Sequence, residues 1–307
     1  MLALLALVAA PISLSADGWV TFEQPLVKGV GSMACGRDNR VSLDSPANGW
    51  SVNDNDGDPD FETMRVFLQF ENGELEEARS FTPDCEVRDT AKAKRIEMAP
   101  DEAVELLGGY LVDADERRLV TRLLAIVAQI DHVDANVVLE QAANEIDGRD
   151  RSRNALFWLA QRRGEHGRKV VIEHVNGDGP IEHREHAVLA LALSKHSEAL
   201  DVVRAIAREH GDGQLRAHAV TSLGIVKAPG ALADLHSIFL VDTDVNVRRQ
   251  AIFGIAQLDA EGAAETLAAI VRNPQHDAHR RDALFWLANM RGRESEAVMD
   301  ELMSEVL

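Results

Sequence analysis

Basic side chains are scarce in this 307-residue sequence: 32 Lys and Arg stand against 51 Asp and Glu, a net charge of −19. Phosphate backbones and anionic lipid head groups repel such a chain, and no basic patch with interleaved aromatics offsets the repulsion. Nucleic acid and anionic membrane surfaces are therefore not expected partners. The deficit is uneven: residues 1–115 carry 22 acidic against 9 basic side chains, and residues 116–307 carry 29 against 23. Also missing are Gly-x-Ser-x-Gly, a Walker loop, Cys-x-x-Cys and the Rossmann glycine fingerprint. With them go the signatures of serine hydrolases, P-loop enzymes, dithiol redox proteins and dinucleotide binders. Beyond the first 16 residues no stretch is long and apolar enough to span a bilayer.

Those first residues, MLALLALVAAPISLSA (1–16), form an apolar run that ends at Asp17-Gly18. The run is too short to span a membrane and suits the core of a secretory signal peptide cleaved after Ala16, which places the mature protein in the periplasm or outside the cell. It lacks a preceding Lys or Arg, and Leu14 is large for its place before the cleavage site. A buried N-terminal helix and a misassigned start codon are the alternatives. Cysteine is confined to Cys35 and Cys85. In an oxidising compartment such a pair in a small, glycine-containing region reads as a disulfide, the other reading being two unrelated thiols. The link would close a loop of about 50 residues, worth about 3–4 kcal/mol through chain entropy.

Residues 17–98 read as a small β-rich domain. Trp19 to Glu23 has strand composition, and Met64, Val66, Leu68 and Phe70 alternate along a second strand. That strand runs into Asn72-Gly73, where both residues tolerate positive φ, so a two-residue hairpin turn and a return strand over Leu75–Phe81 follow. Between the strands lies the acidic stretch Asn53–Asp60. Aligned on Gly57 as an EF-hand loop, it puts Val52 at position one and Thr63 at position twelve, so a solvated acidic turn is the better reading; irregular Ca²⁺ binding stays open. Pro100-Asp101-Glu102 marks a helix start. The helix within residues 99–116 falls in the register of the second helix of the repeats described next and reads as a cap.

The remainder, residues 117–307, is periodic. ALFWLA occurs at Ala155–Ala160 and again at Ala283–Ala288, and between them AVLALA, AVTSLG and AIFGIA begin at Ala187, Ala219 and Ala251. The period is 32 residues. Leu156, Val188, Val220, Ile252 and Leu284 are aliphatic throughout, as are Leu159, Leu191, Leu223, Ile255 and Leu287. A sixth, weaker copy lies at Leu123, Leu124 and Val127. A fixed period of this length means a solenoid of helical hairpins, each burying its apolar face against its neighbours. The fold expected is mainly α, an α-solenoid of six units with a small N-terminal β-rich domain. In the fourth unit the helices are expected at 245–257 and 263–272.

Arg184, Arg216, Arg248 and Arg280 recur at the same spacing, each three residues before the invariant alanine, and Asp212 and Asp244 stand four residues before two of them. With DVNVRRQAIFGIAQL (Asp244–Leu258), this resembles the HEAT-like repeats of bacterial scaffolds and of phycobilisome lyase-type proteins, over about residues 117–307. The resemblance implies that Asp caps the first helix and Arg pairs with carboxylates or carbonyls of the adjacent unit, a structural role. The first unit departs from it with Ser152 at the arginine position. The whole chain is similar to exported bacterial HEAT-repeat proteins with a short Cys-containing N-terminal domain, which implies an envelope protein of scaffold type.

Two constellations bear on chemistry. Trp158 and Trp286 share a repeat position occupied elsewhere by Ala190, Ser222 and Gly254; stacking against small neighbours is the favoured reading, a ligand surface the other. Glu-His pairs recur, and His186 and His218 are in register. The resemblance to di-iron HEAT-repeat hydroxylases fails at the corresponding pairs Glu185-His186, Ala217-His218, Arg249-Gln250 and Arg281-Asp282, where the symmetric carboxylate set is missing. His174 stands where other units have Ile or Leu and reads as a hydrogen-bonded core histidine. The function expected is a non-enzymatic protein-binding scaffold or adaptor in the bacterial envelope, with no cofactor and no metal. Arg204, Arg208 and Arg272 on the second helices are the expected docking positions for another protein. The alternative is an enzyme on the same scaffold: a bilin lyase or isomerase, or a metal-dependent hydroxylase using His186 and His218.

Overall fold

The computed structural model of the chain describes residues 17–30, 33, 35, 39–44, 61–145, 149–194, 196–290 and 292–306. The expected leader at 1–16 and the acidic loop Asn53–Asp60 lie outside the described residues. The strands are β1 (Gly18–Pro25), β2 (Arg40–Ser42), β3 (Thr63–Glu71), β4 (Glu74–Phe81), β5 (Glu86–Arg88) and β6 (Ala93–Arg95). The helices are α1 (Pro100–Asp113), α2 (Arg117–Gln129), α3 (Asp134–Asn144), α4 (Arg149–Arg162), α5 (Gly164–Asn176), α6 (Ile181–Ser194) and α7 (Ser197–Glu209). They continue as α8 (Gly213–Ile225), α9 (Ala231–Val241), α10 (Val245–Ala256), α11 (Ala263–Arg272), α12 (Asp277–Asn289) and α13 (Arg293–Val306). The fold is mainly α, HEAT-like helical hairpins with a small strand-rich N-terminal region. No helix among the described residues is long and apolar enough to cross a membrane.

The chain divides into two compact units, residues 1–163 and 164–307. In the first, a four-stranded sheet has the order β4-β3-β1-β6, and β2 and β5 pair separately. Asn72 and Gly73 take φ of 53° and 81°, the left-handed values a tight hairpin turn needs, so β3 and β4 pair antiparallel. The three-residue strands β2, β5 and β6, which pair in parallel with distant partners, carry too little pattern to be read from sequence. Alternation sorts the sheet residues into two faces. Val20, Phe22, Val66, Leu68 and Phe70 are buried on one of them, where Phe70 meets Tyr110 of α1 at 5.7 Å between ring centroids. Trp19 and Phe67, on the other, build a small core with Leu43, Phe81, Cys85 and Val87. Cys35 and Cys85 are joined in a disulfide beside that core, with Cα atoms 5.6 Å apart.

Strands and first helices are bound into one unit. Leu26 forms a bridge with Ile130, Val27 N–H donates to the Gln129 carbonyl at 3.0 Å, and α2 lies on β4. At that junction Glu77 accepts from Arg79 (2.9 Å) and Arg122 and pairs with Arg118 (3.4 Å). Arg79 in turn lies over the Trp19 ring, 5.2 Å from its centroid. Burial pushes the Glu77 carboxyl up, but the hydrogen bonds from Arg79 and Arg122 outweigh it and hold its pKa below the ordinary value.

In the second unit α5 is followed by the hairpins α6–α7, α8–α9, α10–α11 and α12–α13. First helices pack on first helices (α6 on α8, α8 on α10, α10 on α12), with each second helix folded back beside its own hairpin. The aliphatic positions Val188, Val220 and Ile252 are fully buried in these contacts. The tightest crossing is α8 on α10: a Cβ placed on Gly224 would stand 2.5 Å from the Gly254 Cα, so only glycine fits there. Gly230 and Gly262, with φ of 74° and 83°, make the turns into α9 and α11.

Candidate functional site

The repeated arginines and aspartates make structural bonds. Asp212 caps α8 by accepting from Gln214 N–H at 2.8 Å, and Asp244 caps α10 by accepting from Asn246 N–H at 2.7 Å. Arg184 Nε donates to the Val175 carbonyl (2.8 Å) and Arg280 Nε to the Val271 carbonyl (3.0 Å), each nine residues back along the chain. Ser152 substitutes for arginine in the first unit and still bonds the equivalent carbonyl, its hydroxyl donating to Ala143 O at 2.7 Å. Arg216 donates to the His210 carbonyl (2.8 Å), six residues back, and also reaches forward to both oxygens of Asp242, at 2.8 and 3.2 Å. Among the described residues Arg248 has no carboxylate partner. It donates to His276 Nδ1 (3.2 Å) and lies over the Phe239 ring at 4.6 Å, its Nε buried and without a partner among the described residues.

The second-helix arginines expected as docking positions are tied into the array. Arg204 pairs with Asp234 and Asp201, both at 2.8 Å, and donates to the Pro229 carbonyl; Arg272 meets Glu265, Glu301 and Glu305. Arg208 also binds Asp234, at 2.5 Å, yet it is exposed. Carboxylates of the following hairpin lie within reach of each group, so reversing Arg204 or Arg272 breaks a link between repeats as well as changing a surface charge. Of the three, Arg208 lines a described cleft. That cleft, of about 460 Å³, lies where the α7–α8 and α9–α10 turns approach, with His210, Val241 and Asp242 in its wall. Beside it Leu240, Val241 and Val245 are 52, 77 and 59% exposed.

Two of the histidines, on α5 and α6, meet. His174 Nδ1 and His183 Nε2 are 2.9 Å apart, one ring donating to the other, so the His174 position is hydrogen-bonded within the unit. Burial, then the His174 charge, lowers the His183 pKa. His218 is also lowered by burial, against the pull of Glu185, and its Nε2 is enclosed without a partner among the described residues. His186 lies on α6 and His218 on α8. Among the described residues no three His, Cys, Asp or Glu side chains group where a metal could sit.

The two ALFWLA tryptophans part company. Trp158 is 5% exposed and packs edge-on to Phe157, whereas Trp286 is half-buried and lines a cleft of about 390 Å³ with Phe253, Asn246, Arg249, Gln250 and Asp282. Sequence alone could not separate them, because the two copies are identical over six residues and only their neighbours differ.

Residues 168–256 match the family of HEAT repeats. The chain is a HEAT-like repeat protein over this stretch. No curated protein matches the sequence. Among solved structures, the complex of CpcE and CpcF of phycocyanin lyase from Nostoc sp. PCC7120 is similar over 50% of this chain and 99% of that one, with 20% identity and a TM-score of 0.37. Human deoxyhypusine hydroxylase in complex with glycerol is similar over 65% of this chain and 77% of its own, with 15% identity and a TM-score of 0.30. For Cex1p the figures are 67% and 45%, 12% identity and 0.35.

Proposed function

We propose that this protein is a non-enzymatic scaffold of the bacterial cell envelope that binds another protein along an edge of its HEAT-repeat array. One observation carries the reading. Leu240, Val241 and Val245 stand exposed at the α9–α10 turn, beside a cleft whose wall includes the exposed Arg208. Apolar side chains grouped at the surface and rimmed by charge are typical of protein-binding surfaces, since isolated folding gains nothing from leaving them in water. The Cys35–Cys85 disulfide suits an oxidising compartment and supports the envelope location.

The test is affinity capture from native envelope extract by the full chain and its variants. Val241→Asp with Val245→Asp should abolish capture of the partner that the unaltered chain retains, with little change in thermal stability, since exposed substitutions cost less than about 0.5 kcal/mol. His186→Ala with His218→Ala should leave capture intact. Capture untouched at the edge and lost with the histidines would overturn the reading. So would stoichiometric iron or a bound pigment in protein purified from its native host, either of which would favour an enzyme.

A further inference from the structure

Trp286 packs on the neighbouring repeat and also lines a cleft apart from the docking edge. Its indole is held between two phenylalanines: Phe253 of α10 at 4.9 Å and 61°, and Phe285 at 5.2 Å and 81° between ring planes. Edge-on contacts of this kind fix a ring's orientation. The cleft in front of it is lined by two aromatic rings and four planar polar groups, the Asn246 and Gln250 amides, the Arg249 guanidinium and the Asp282 carboxylate, and by no aliphatic side chain.

The polar groups are already positioned. Arg249 on α10 and Asp282 on α12 pair across the cleft at 3.0 Å. Gln250 is anchored through Oε1, 3.0 Å from the Thr221 hydroxyl of α8, and its amide nitrogen has no protein partner among the described residues. Neither do the Trp286 indole N–H and the side chain of the exposed Asn246.

This composition selects among ligands. The Arg249–Asp282 pair cancels its own charge, so neither a free anion nor a free cation is preferred. An aliphatic peptide anchor would find no aliphatic wall. A six-membered sugar ring matches: one face presents C–H groups that pack on the indole, and its rim of hydroxyls both donates and accepts, as amide and carboxylate–guanidinium groups require. The cleft volume, about 390 Å³, lies within the range of about 300–1,000 Å³ usual for small-molecule sites. We infer that the α10–α12 cleft is a binding site for a neutral pyranose sugar, with Trp286 as the platform and Asn246, Arg249, Gln250 and Asp282 as the hydrogen-bonding rim.

The site is on the first-helix face and shares no residue with the docking edge, so its failure leaves the scaffold reading standing. Its test is saturation-transfer NMR on the full chain with glucose, galactose, mannose, N-acetylglucosamine and the α- and β-linked disaccharides of each. At least one of these should bind saturably. Trp286→Ala should weaken that binding about tenfold or more. Because Trp286 also packs on Phe253, Asn246→Ala and Gln250→Ala serve as variants that leave the rings in place, and each should weaken binding severalfold at unchanged melting temperature. No saturable binding to any of these sugars, or binding indifferent to all three substitutions, would overturn the inference. Competition for the cleft by a polyproline peptide that outbinds every sugar would do the same.

Discussion

The two units of this chain are held together by different kinds of contact. In residues 1–163 the structure closes over long stretches of sequence: Cys35 is tied to Cys85, Arg122 reaches Glu77, and β1 pairs with β3 across the segment between them. Among the described residues of 164–307 the ties run from one hairpin to the next, as with Arg204 to Asp234, Arg216 to Asp242 and Gly262 N–H to Glu294. A unit closed by long-range contacts loses stability as a whole when one closure is cut, while an array of nearest-neighbour contacts loses it locally.

The largest expected effect follows from cutting the disulfide. Cys35→Ser should lower the stability of the first unit by about 3–4 kcal/mol, the chain entropy of the released loop. Hydrogen exchange should show protection falling throughout β1, β3 and β4 while α8 and α10 keep theirs. Equal loss in both units would end the distinction.

A smaller and more local effect is expected from Gly224→Ala. The added methyl meets the backbone of α10 at Gly254, an overpacking that costs about 1–3 kcal/mol. Exchange should quicken in α8 and α10 and stay unchanged in the sheet. A loss that spread to the sheet would show the array behaving as a single cooperative body.

Acid should separate the units more gently, by pH. His183, His218, His276 and His279, all in the second unit, have pKa values lowered first by burial. Below about pH 6.5 the unfolded chain takes up protons that these folded rings resist. Stability of the second unit should therefore fall as pH drops through that value and level off once the folded rings protonate. In the first unit Glu77 is lowered in the folded state, so its contribution holds above the ordinary carboxylate value and is lost only at lower pH, as its folded pKa is passed. Thermal melts between pH 7 and 5 should shift the second unit's transition and leave the first nearly unmoved. The opposite order would contradict both assignments.

Much of this molecule was legible as pattern. A 32-residue period with an invariant alanine determines helical hairpins, because only a stack of like units buries such a face repeatedly. Val245–Ala256 and Ala263–Arg272 fall within a residue of the helices that pattern predicts. Asn72-Gly73 determines its hairpin for the same local reason: two successive residues must accept positive φ. The spacing of the arginines was visible too, but Ser152 read as a departure from it, and only the structure shows its hydroxyl bonding the Ala143 carbonyl.

Tertiary structure decided what lies opposite each residue, which periodicity does not encode. Trp158 and Trp286 sit in identical hexapeptides, yet one is enclosed and the other opens onto a cleft. Leu284 repeats Val188, Val220 and Ile252 but is 40% exposed. Arg204 and Arg272 read as free surface cations until the carboxylates of the following hairpin were placed beside them. The short strands β2, β5 and β6 acquire their identity from partners elsewhere in the chain. Within the repeats the sequence by itself determined the register. The folded neighbours determined exposure, pairing and charge, since burial and electrostatics are properties of surroundings rather than of the residue.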